Sequence, residues 1–167
     1  MQIRVLTEED LKEYWSLRLR SVQEHPEAFI PTIEELDDQK YMEMTVRIKP
    51  TDLSWFLGAF ENGELVGAMS WKREEPAKLQ HKSHIYGVYV VPEARRKGIG
   101  RALLEHLISR VKKVAGVEQI LLTVANSNPA KSLYLQCGFI SYGYEKKSLK
   151  IGEAYVDGVL MVLFLKD

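Results

Sequence analysis

The chain has 167 residues, of which 46% are hydrophobic and 28% are charged, as is typical of one globular domain with a substantial core over residues 1–167. Its 23 basic and 23 acidic residues cancel, which argues against a nucleic-acid partner and requires any anion site to be local. Cys137 is the only cysteine, which excludes an internal disulfide and favours a cytoplasmic protein. We expect no membrane partner, because the chain begins without a signal-peptide pattern and no apolar run approaches the roughly 20 residues of a membrane span.

Apolar spacing and turn residues predict eleven elements in the order β-α-α-β-β-β-α-β-α-β-β. Thr7 is a predicted helix N-cap, and His25-Pro26 ends the first helix because proline disfavours the helical region for the residue before it. Asn62-Gly63 between two apolar runs predicts a hairpin. A polar loop is expected over residues 73–84. The predicted elements lie, in chain order, at residues 3–6, 11–22, 33–48, 54–60, 65–71, 85–91, 99–116, 120–124, 130–136, 139–144 and 155–165. A hairpin early in the chain and α/β alternation late in it predict the α/β (α+β) class, a mixed sheet with helices packed on its faces.

The turn between the predicted strand 85–91 and the helix that starts at Ile99 carries the strongest chemical signal. It reads Arg95-x-x-Gly98-x-Gly100, and a turn that enters a helix in this way directs backbone N–H groups and the positive end of the helix dipole at one spot, which suits a phosphate. A P-loop is excluded, because no G-x-x-x-x-G-K-[ST] is present. A dinucleotide fingerprint fails as well, since Leu103 stands at its third glycine position.

This turn resembles the acyl-coenzyme A signature Q/R-x-x-G-x-G/A of the GNAT superfamily of N-acetyltransferases. Val90-Val91-Pro92 resembles the ending of that family's fourth strand, and Leu133-Tyr134-x-x-Cys137-Gly138-Phe139 resembles its L-Y-x-x-x-G-F motif. The predicted element order is similar to the family fold along essentially the whole chain. The resemblance implies a mixed, mostly antiparallel twisted sheet of six to seven strands with helices on both faces.

The resemblance also implies acetyl-CoA as co-substrate, with its pyrophosphate on the backbone N–H groups of residues 96–101. Gly98 and Gly100 would allow close approach, and the neighbouring cations would attract the phosphates. Four cations at a helix N-terminus oppose the dipole, so their presence favours a bound anion. The predicted cofactor-binding residues are Val88, Tyr89, Val90, Arg95, Arg96, Lys97, Gly98, Ile99, Gly100, Arg101, Asn126 and Tyr134.

In this family the strand before the turn pairs with the pantetheine arm, so a bulge and a splay from the next strand are expected near Val88. A backbone N–H of Tyr89 or Val90 would hold the thioester carbonyl and stabilise the oxyanion. Tyr134 is the predicted general acid, which would protonate the departing thiolate. Asn126 is favoured as the contact to the pantetheine arm; Asn128 is the alternative, or it caps the helix that follows.

The general base is left open by the sequence. The candidates for the base are Glu24, His25 and His84. Tyr86 and Tyr155 are further candidates, which would line the wall of the cleft. His81 and His84 stand three apart with no third ligand, so no metal is expected. Cys137 has no evident histidine partner in the sequence and is interpreted as a packing residue.

We therefore expect an N-acetyltransferase in which a primary amine attacks the thioester directly. The acceptor would be a small molecule or a peptide, bound between the first two helices, the loop 73–84 and the segment 148–155. An acyl-CoA-binding sensor with little catalysis is the alternative, and the same scaffold is compatible with another acyl donor or a non-amine acceptor. The sequence leaves a homodimer open. Four acidic residues near the second helix are interpreted as a solvated face: Glu34, Glu35, Asp37 and Asp38.

Overall fold

A computed structural model describes residues 1–166. Four helices and seven strands lie within these residues, in the order that the sequence predicts. No helix in this part of the chain is long and apolar enough to span a membrane. The strands are β1 (Gln2–Val5), β2 (Ser54–Glu61), β3 (Glu64–Arg73), β4 (Lys82–Val90), β5 (Gln119–Ala125), β6 (Ile140–Ile151) and β7 (Ala154–Phe164), and the helices are α1 (Leu11–Glu24), α2 (Asp38–Arg47), α3 (Ile99–Val111) and α4 (Ala130–Gln136).

The strands form one seven-stranded sheet in the order β1-β2-β3-β4-β5-β7-β6. Only the β4–β5 pair is parallel, and the other five pairs are antiparallel. The predicted mixed, mostly antiparallel sheet of the GNAT fold is therefore confirmed. The single parallel pair matters for function, because it lies at the centre of the sheet beside the glycine turn.

Helices α1 and α3 pack on opposite faces of the sheet. The leucines Leu103 and Leu107 of α3 are fully buried, and a Cβ built on Gly67 of β3 would meet Leu103 at 3.3 Å, so Gly67, Met69 and Trp71 face α3. Side chains alternate along a strand, and Ala68, Ser70 and Lys72 consequently face α1. Burying each such leucine contributes about 1.5–3 kcal/mol, which fixes α3 and the turn that precedes it against the sheet.

The second helix is shorter than predicted, since it begins at Asp38 and not at residue 33. Two capping signals compete in this segment. Thr32 and Glu35 bond reciprocally through the Thr32 N–H (2.8 Å) and the Glu35 N–H (3.3 Å), which closes a local turn. The carboxylate of Asp37 then accepts from the N–H of Lys40 at 2.9 Å and caps the helix.

Two predicted loops are partly strands. β3 continues to Arg73 and β4 starts at Lys82, so His84 lies inside β4 and does not precede it. The segment 148–155 belongs to a hairpin, because β6 runs to Ile151 and Gly152, with φ of 59°, turns the chain into β7. β6 is an edge strand with mostly exposed residues, so the apolar alternation that predicts strands is missing there.

Candidate functional site

A cleft opens at the centre of the sheet because β4 and β5 part. Their pairing begins at Lys82 with Gln119 and ends at His84 with Leu121. Farther along β4, Ser70 pairs with Tyr86 and Ala68 pairs with Tyr89, so β4 has one more residue than β3 in this interval. Gly87, with φ of 62°, lies in this bulge. The bulge and the splay expected from the sequence are therefore present.

The hydrogen-bond alternation of β4 determines which backbone groups face the cleft. The Val91 N–H donates to the Val66 carbonyl at 2.9 Å. In an antiparallel pair successive residues point to opposite edges, so the Tyr89 N–H also points towards β3, whereas the Val90 N–H points to the open edge. The Val90 carbonyl faces that edge too, where it accepts from Arg95 Nε at 2.9 Å.

The glycine turn presents a row of unused backbone donors. Residues Pro92–Ala94 form a short 3₁₀ turn, and Arg96 (φ of 62°) and Gly98 (φ of 78°) are left-handed. The Ala102 N–H bonds to the Gly98 carbonyl at 2.9 Å and starts the helical ladder. Within residues 1–166 the backbone N–H groups of residues 96–101 make no hydrogen bond. This row of donors at a helix N-terminus is suited to an anion.

Arg95 is directed away from that row. Its guanidinium donates to His25 Nε2 at 3.1 Å, lies 3.7 Å from the Glu24 carboxylate and stands over the Tyr89 ring at 5.7 Å. Its backbone N–H bonds to the Pro92 carbonyl at 3.2 Å. The Arg95 side chain therefore links the turn to the end of α1, and its attraction to a phosphate stays a prediction.

The other three cations of the turn remain at the surface. Lys97 pairs with Glu61 at 3.1 Å, and Arg101 contacts Glu105 at 3.5 Å and Gln136. Exposed pairs of this kind are weak, and such side chains can turn to a ligand at little cost. Within the described residues, the Arg96 side chain has neither an ion-pair nor a hydrogen-bond partner.

Tyr134 lies on α4, next to the start of α3. A Cβ on Gly100 would contact Leu133 at 3.6 Å, so α4 packs directly beside the glycine turn. The Tyr134 ring is 5% exposed and meets the edge of Phe139 at 5.8 Å. Burial raises the pKa of Tyr134 above its ordinary value, which keeps the phenol protonated, and its hydroxyl makes no hydrogen bond within residues 1–166.

The two asparagines before α4 have different environments. Asn128 Oδ1 accepts from the Ala130 N–H at 2.9 Å and so caps the helix. Asn126, the first residue after β5, contacts only Lys131 Nζ, at 3.3 Å, through its side-chain oxygen. Asn128 therefore has the capping contact, and Asn126, at the end of β5, stays the predicted contact to the pantetheine arm.

The base candidates Glu24 and His25 are occupied by other side chains. Glu24 accepts from the Tyr89 hydroxyl at 2.5 Å and from Arg20 at 2.7 Å. Burial opposes its ionisation, yet these bonds hold the pKa of Glu24 below its ordinary value, which makes it a poor proton acceptor. His25 contacts Glu27 at 3.1 Å through Nδ1 and Arg95 through Nε2, so neither ring nitrogen is free.

His84 has one ring nitrogen available. Its Nε2 contacts the Glu74 carboxylate at 2.8 Å, and its ring stacks on Tyr86 at 5.7 Å. His84 is the last residue of β4 that pairs with β5, and it pairs with Lys72 of β3, so it lies at the fork of the cleft on the α1 face. The sequence had no signal for Glu74.

Tyr155, the other candidate for the wall of the cleft, lies in the β6–β7 hairpin, and the ammonium groups of Lys147 and Lys150 lie near its ring.

Arg18 lies in the wall of the cleft, and the sequence did not identify it. Its Nη1 lies 3.9 Å from the position a Cβ on Gly87 would take, so its guanidinium stands over the β4 bulge from the α1 face. An arginine within an amphipathic helix gives no sequence signal of this placement, since most such residues lie on a solvated face.

The chain matches the sequence model of the Acetyltransferase (GNAT) family over residues 9–139. It belongs to this family. An N-alpha-acetyltransferase of Sulfurisphaera tokodaii is 30% identical over 62% of this chain and 66% of its own length. The [ribosomal protein bS18]-alanine N-acetyltransferase of Escherichia coli is 35% identical over 47% of this chain and 53% of its own. The UPF0157 protein YqkA of Bacillus subtilis is 39% identical over 50% of this chain and 22% of its own, so the matches span from about a fifth to two thirds of these relatives.

Solved structures share the whole fold of this GNAT chain. The structure of yncA from Salmonella typhimurium with its cofactor acetyl-CoA superposes with a TM-score of 0.84 at 23% identity, covering 100% of this chain and 95% of that one. A GNAT acetyltransferase from Streptococcus pneumoniae gives a TM-score of 0.79 at 22% identity, covering 98% of both chains. At these identities the similarity establishes the fold.

Proposed function

We propose that the protein is an acetyl-CoA-dependent N-acetyltransferase whose primary-amine acceptor attacks the thioester directly. The observation that carries this proposal is the row of unused backbone donors at residues 96–101 beside the cleft between β4 and β5. The cofactor in the yncA structure and the amine acetylation named for the ribosomal-protein relative support the donor and the acceptor type. All four helices and the sheet would form one N-acetyltransferase domain over residues 1–167.

The cofactor would lie along the open edge of β4. Its pyrophosphate would accept from the backbone N–H groups of residues 96–101, with Arg96 as the nearest cation without a partner. The pantetheine arm would pair with Val88 and Val90 in the place that β5 vacates, and Asn126 would contact it from the far side. The thioester carbonyl would then accept from the Val90 N–H. One such oxyanion donor is worth about 3–4 kcal/mol in the transition state.

The chemical step needs an amine without its extra proton. The amine nitrogen attacks the carbonyl carbon and forms a tetrahedral intermediate, whose C–S bond then breaks to release the thiolate. Tyr134 would donate its phenolic proton to that sulfur. His84, held by Glu74, would accept the proton that the amine loses, since Glu24 and His25 are engaged elsewhere. Burial raises the pKa of Cys137, which disfavours a thiolate nucleophile and a covalent enzyme intermediate.

Thiol release from acetyl-CoA, measured across a panel of amines, tests this function. We expect acetylation of at least one amine class, with kcat lowered by about 100-fold in His84→Gln and less in Glu74→Gln. His106→Gln, at an exposed position of α3, is the matched control and should behave as wild type. Tight binding of acetyl-CoA without turnover of any amine would contradict the proposed enzymatic function and would favour the alternative of an acyl-CoA-binding sensor.

A further inference from the structure

A second concavity, not used by the chemistry above, lies between α1, the segment 30–37 and α2. It encloses about 460 Å³ and is lined by apolar side chains, Trp15, Leu36 and Met44 among them, and by Arg18 and Arg47. An apolar pocket with a few convergent polar groups is the usual form of a small-molecule site.

Neither arginine of the wall has an acidic partner, whereas the other charged groups of the wall are satisfied. Within residues 1–166 neither the Arg18 nor the Arg47 guanidinium makes an ion pair, and Arg18 lies against the Tyr14 hydroxyl. By contrast, the Glu35 and Asp37 carboxylates bind backbone N–H groups at 2.8 and 2.9 Å, and Lys40 pairs with Glu43 at 2.9 Å. The positive charge left without a counterion in this pocket is therefore that of the arginines.

Tyr14 is a buried neighbour of Arg18, behind the pocket wall. Its ring is 4% exposed and packs on Phe56 with the centroids 5.0 Å apart. Burial raises the pKa of Tyr14, whereas the charges of Arg18 and Arg47 and a hydrogen bond with Arg18 act in the opposite direction, so the phenol helps to hold the Arg18 guanidinium in place. The two guanidinium groups on the pocket wall fit a carboxylate, which binds arginine with two parallel hydrogen bonds.

Arg18 connects this pocket to the reaction centre. Its Nη1 stands 3.9 Å from the Cβ position of Gly87 in the β4 bulge, on the side of Val90 that lies away from the glycine turn. The acceptor amine would approach the thioester from this side, with the carbon next to that amine turned towards Arg18. A carboxylate on that carbon would meet the guanidinium.

We propose that the acceptor is a small amine bearing an adjacent carboxylate, an amino acid or a close analogue. Arg18 binds the carboxylate, Arg47 reinforces the site, and the apolar wall takes the side chain. A peptide N-terminus lacks this carboxylate and would leave Arg18 without a partner. The proposal rests on the acetyltransferase function above and specifies its acceptor.

Matched substrates test the proposal: free amino acids, their amides and short peptides of the same sequence. We expect kcat/KM for the acid to exceed that for the amide by roughly 10- to 100-fold, because a hydrogen-bonded charge pair is lost in the amide. Arg18→Gln should bring this acid-to-amide ratio near one, mainly through KM, and Arg47→Gln should lower it less. Lys12→Gln removes a charge from an exposed position of the same helix and should leave the ratio unchanged.

Equal turnover of acids, amides and peptides would overturn the carboxylate site, as would an unchanged ratio in Arg18→Gln. If no amine is acetylated, the acetyltransferase function fails, and calorimetry with amino acids and amides in the presence of coenzyme A then tests the site by itself. Binding of the acid that is weakened in Arg18→Gln would support the site, and binding without preference for the acid would overturn it.

Discussion

Replacing Gly98 by alanine separates the cofactor site from the fold. Gly98 adopts φ of 78° at the entry to α3, and a Cβ there would meet no atom within 4 Å. The substitution therefore introduces backbone strain without a steric clash. For an L-residue this conformation costs about 1–2 kcal/mol, and the turn can relieve the strain only by rotating the N–H groups of its neighbours.

The magnitudes follow from that geometry. If the strain is retained, the free energy of unfolding falls by about 1–2 kcal/mol, which lowers Tm by about 2–8 °C for a chain of this size. If the turn rotates, one or two charge-assisted bonds to the pyrophosphate are lost, at about 1.5–3 kcal/mol each. Coenzyme A affinity should then fall by at least roughly tenfold.

Calorimetric titration with coenzyme A, together with thermal unfolding, measures both quantities. Gly100→Ala is the matched control, because its Cβ would make an ordinary 3.6 Å contact to Leu133 and alanine favours a helix by about 1 kcal/mol. We expect Gly100→Ala to be as stable as wild type or more so, with unchanged affinity. Wild-type affinity together with a wild-type Tm in Gly98→Ala would refute this reasoning, because neither consequence of the strain would then be observed.

Three further changes test other parts of the account. Tyr134→Phe should lower kcat by about 10- to 100-fold with unchanged Tm, since the hydroxyl makes no hydrogen bond within the described residues; unchanged turnover would remove it from the mechanism. Asp10→Asn should lower the free energy of unfolding by about 1–2 kcal/mol at pH 7, because the Arg4 guanidinium bonds this buried carboxylate at 2.6 Å and holds its pKa below the ordinary value. Because the folded-state pKa of Asp10 is lowered, its carboxylate stabilises the fold fully at pH values above the ordinary pKa and loses this effect as the pH falls through the lowered pKa. The difference in free energy of unfolding between wild type and Asp10→Asn, measured with denaturant, should therefore shrink below about pH 4. A difference that stays constant with pH would contradict the ion pair. Glu24→Gln should raise KM for acetyl-CoA by up to about fivefold, since Tyr89 and the glycine turn lose their common anchor; steady-state kinetics with unchanged KM would argue against that coupling.

The parts of the fold that the sequence predicts well are those with local signals. The bounds of α4 agree because Asn128 caps its start and Gly138, with φ of 94°, follows its end. The glycine turn is likewise predicted from a local pattern, Arg95-x-x-Gly98-x-Gly100. The sequence predicts that β6 ends at residue 144, whereas the strand continues to Ile151 through backbone pairing. An exposed edge strand needs no apolar alternation, so this extension has no signal in the sequence.

The side-chain geometry of the site depends on contacts between distant segments. Arg95 meets His25 from 70 positions away, and Arg18 meets the β4 bulge only because α1 packs across β3. No local pattern encodes such contacts, which is why the sequence predicts the turn but not the direction of Arg95, the Glu74–His84 pair or the placement of Arg18.

A crystal structure of the protein with acetyl-CoA bound would show directly where the cofactor lies. We expect pyrophosphate oxygens within hydrogen-bond distance of the N–H groups of residues 96–101, with the thioester carbonyl on the Val90 N–H and its sulfur near the Tyr134 hydroxyl. A pyrophosphate bound away from the turn, or a thioester outside the cleft between β4 and β5, would contradict this expectation.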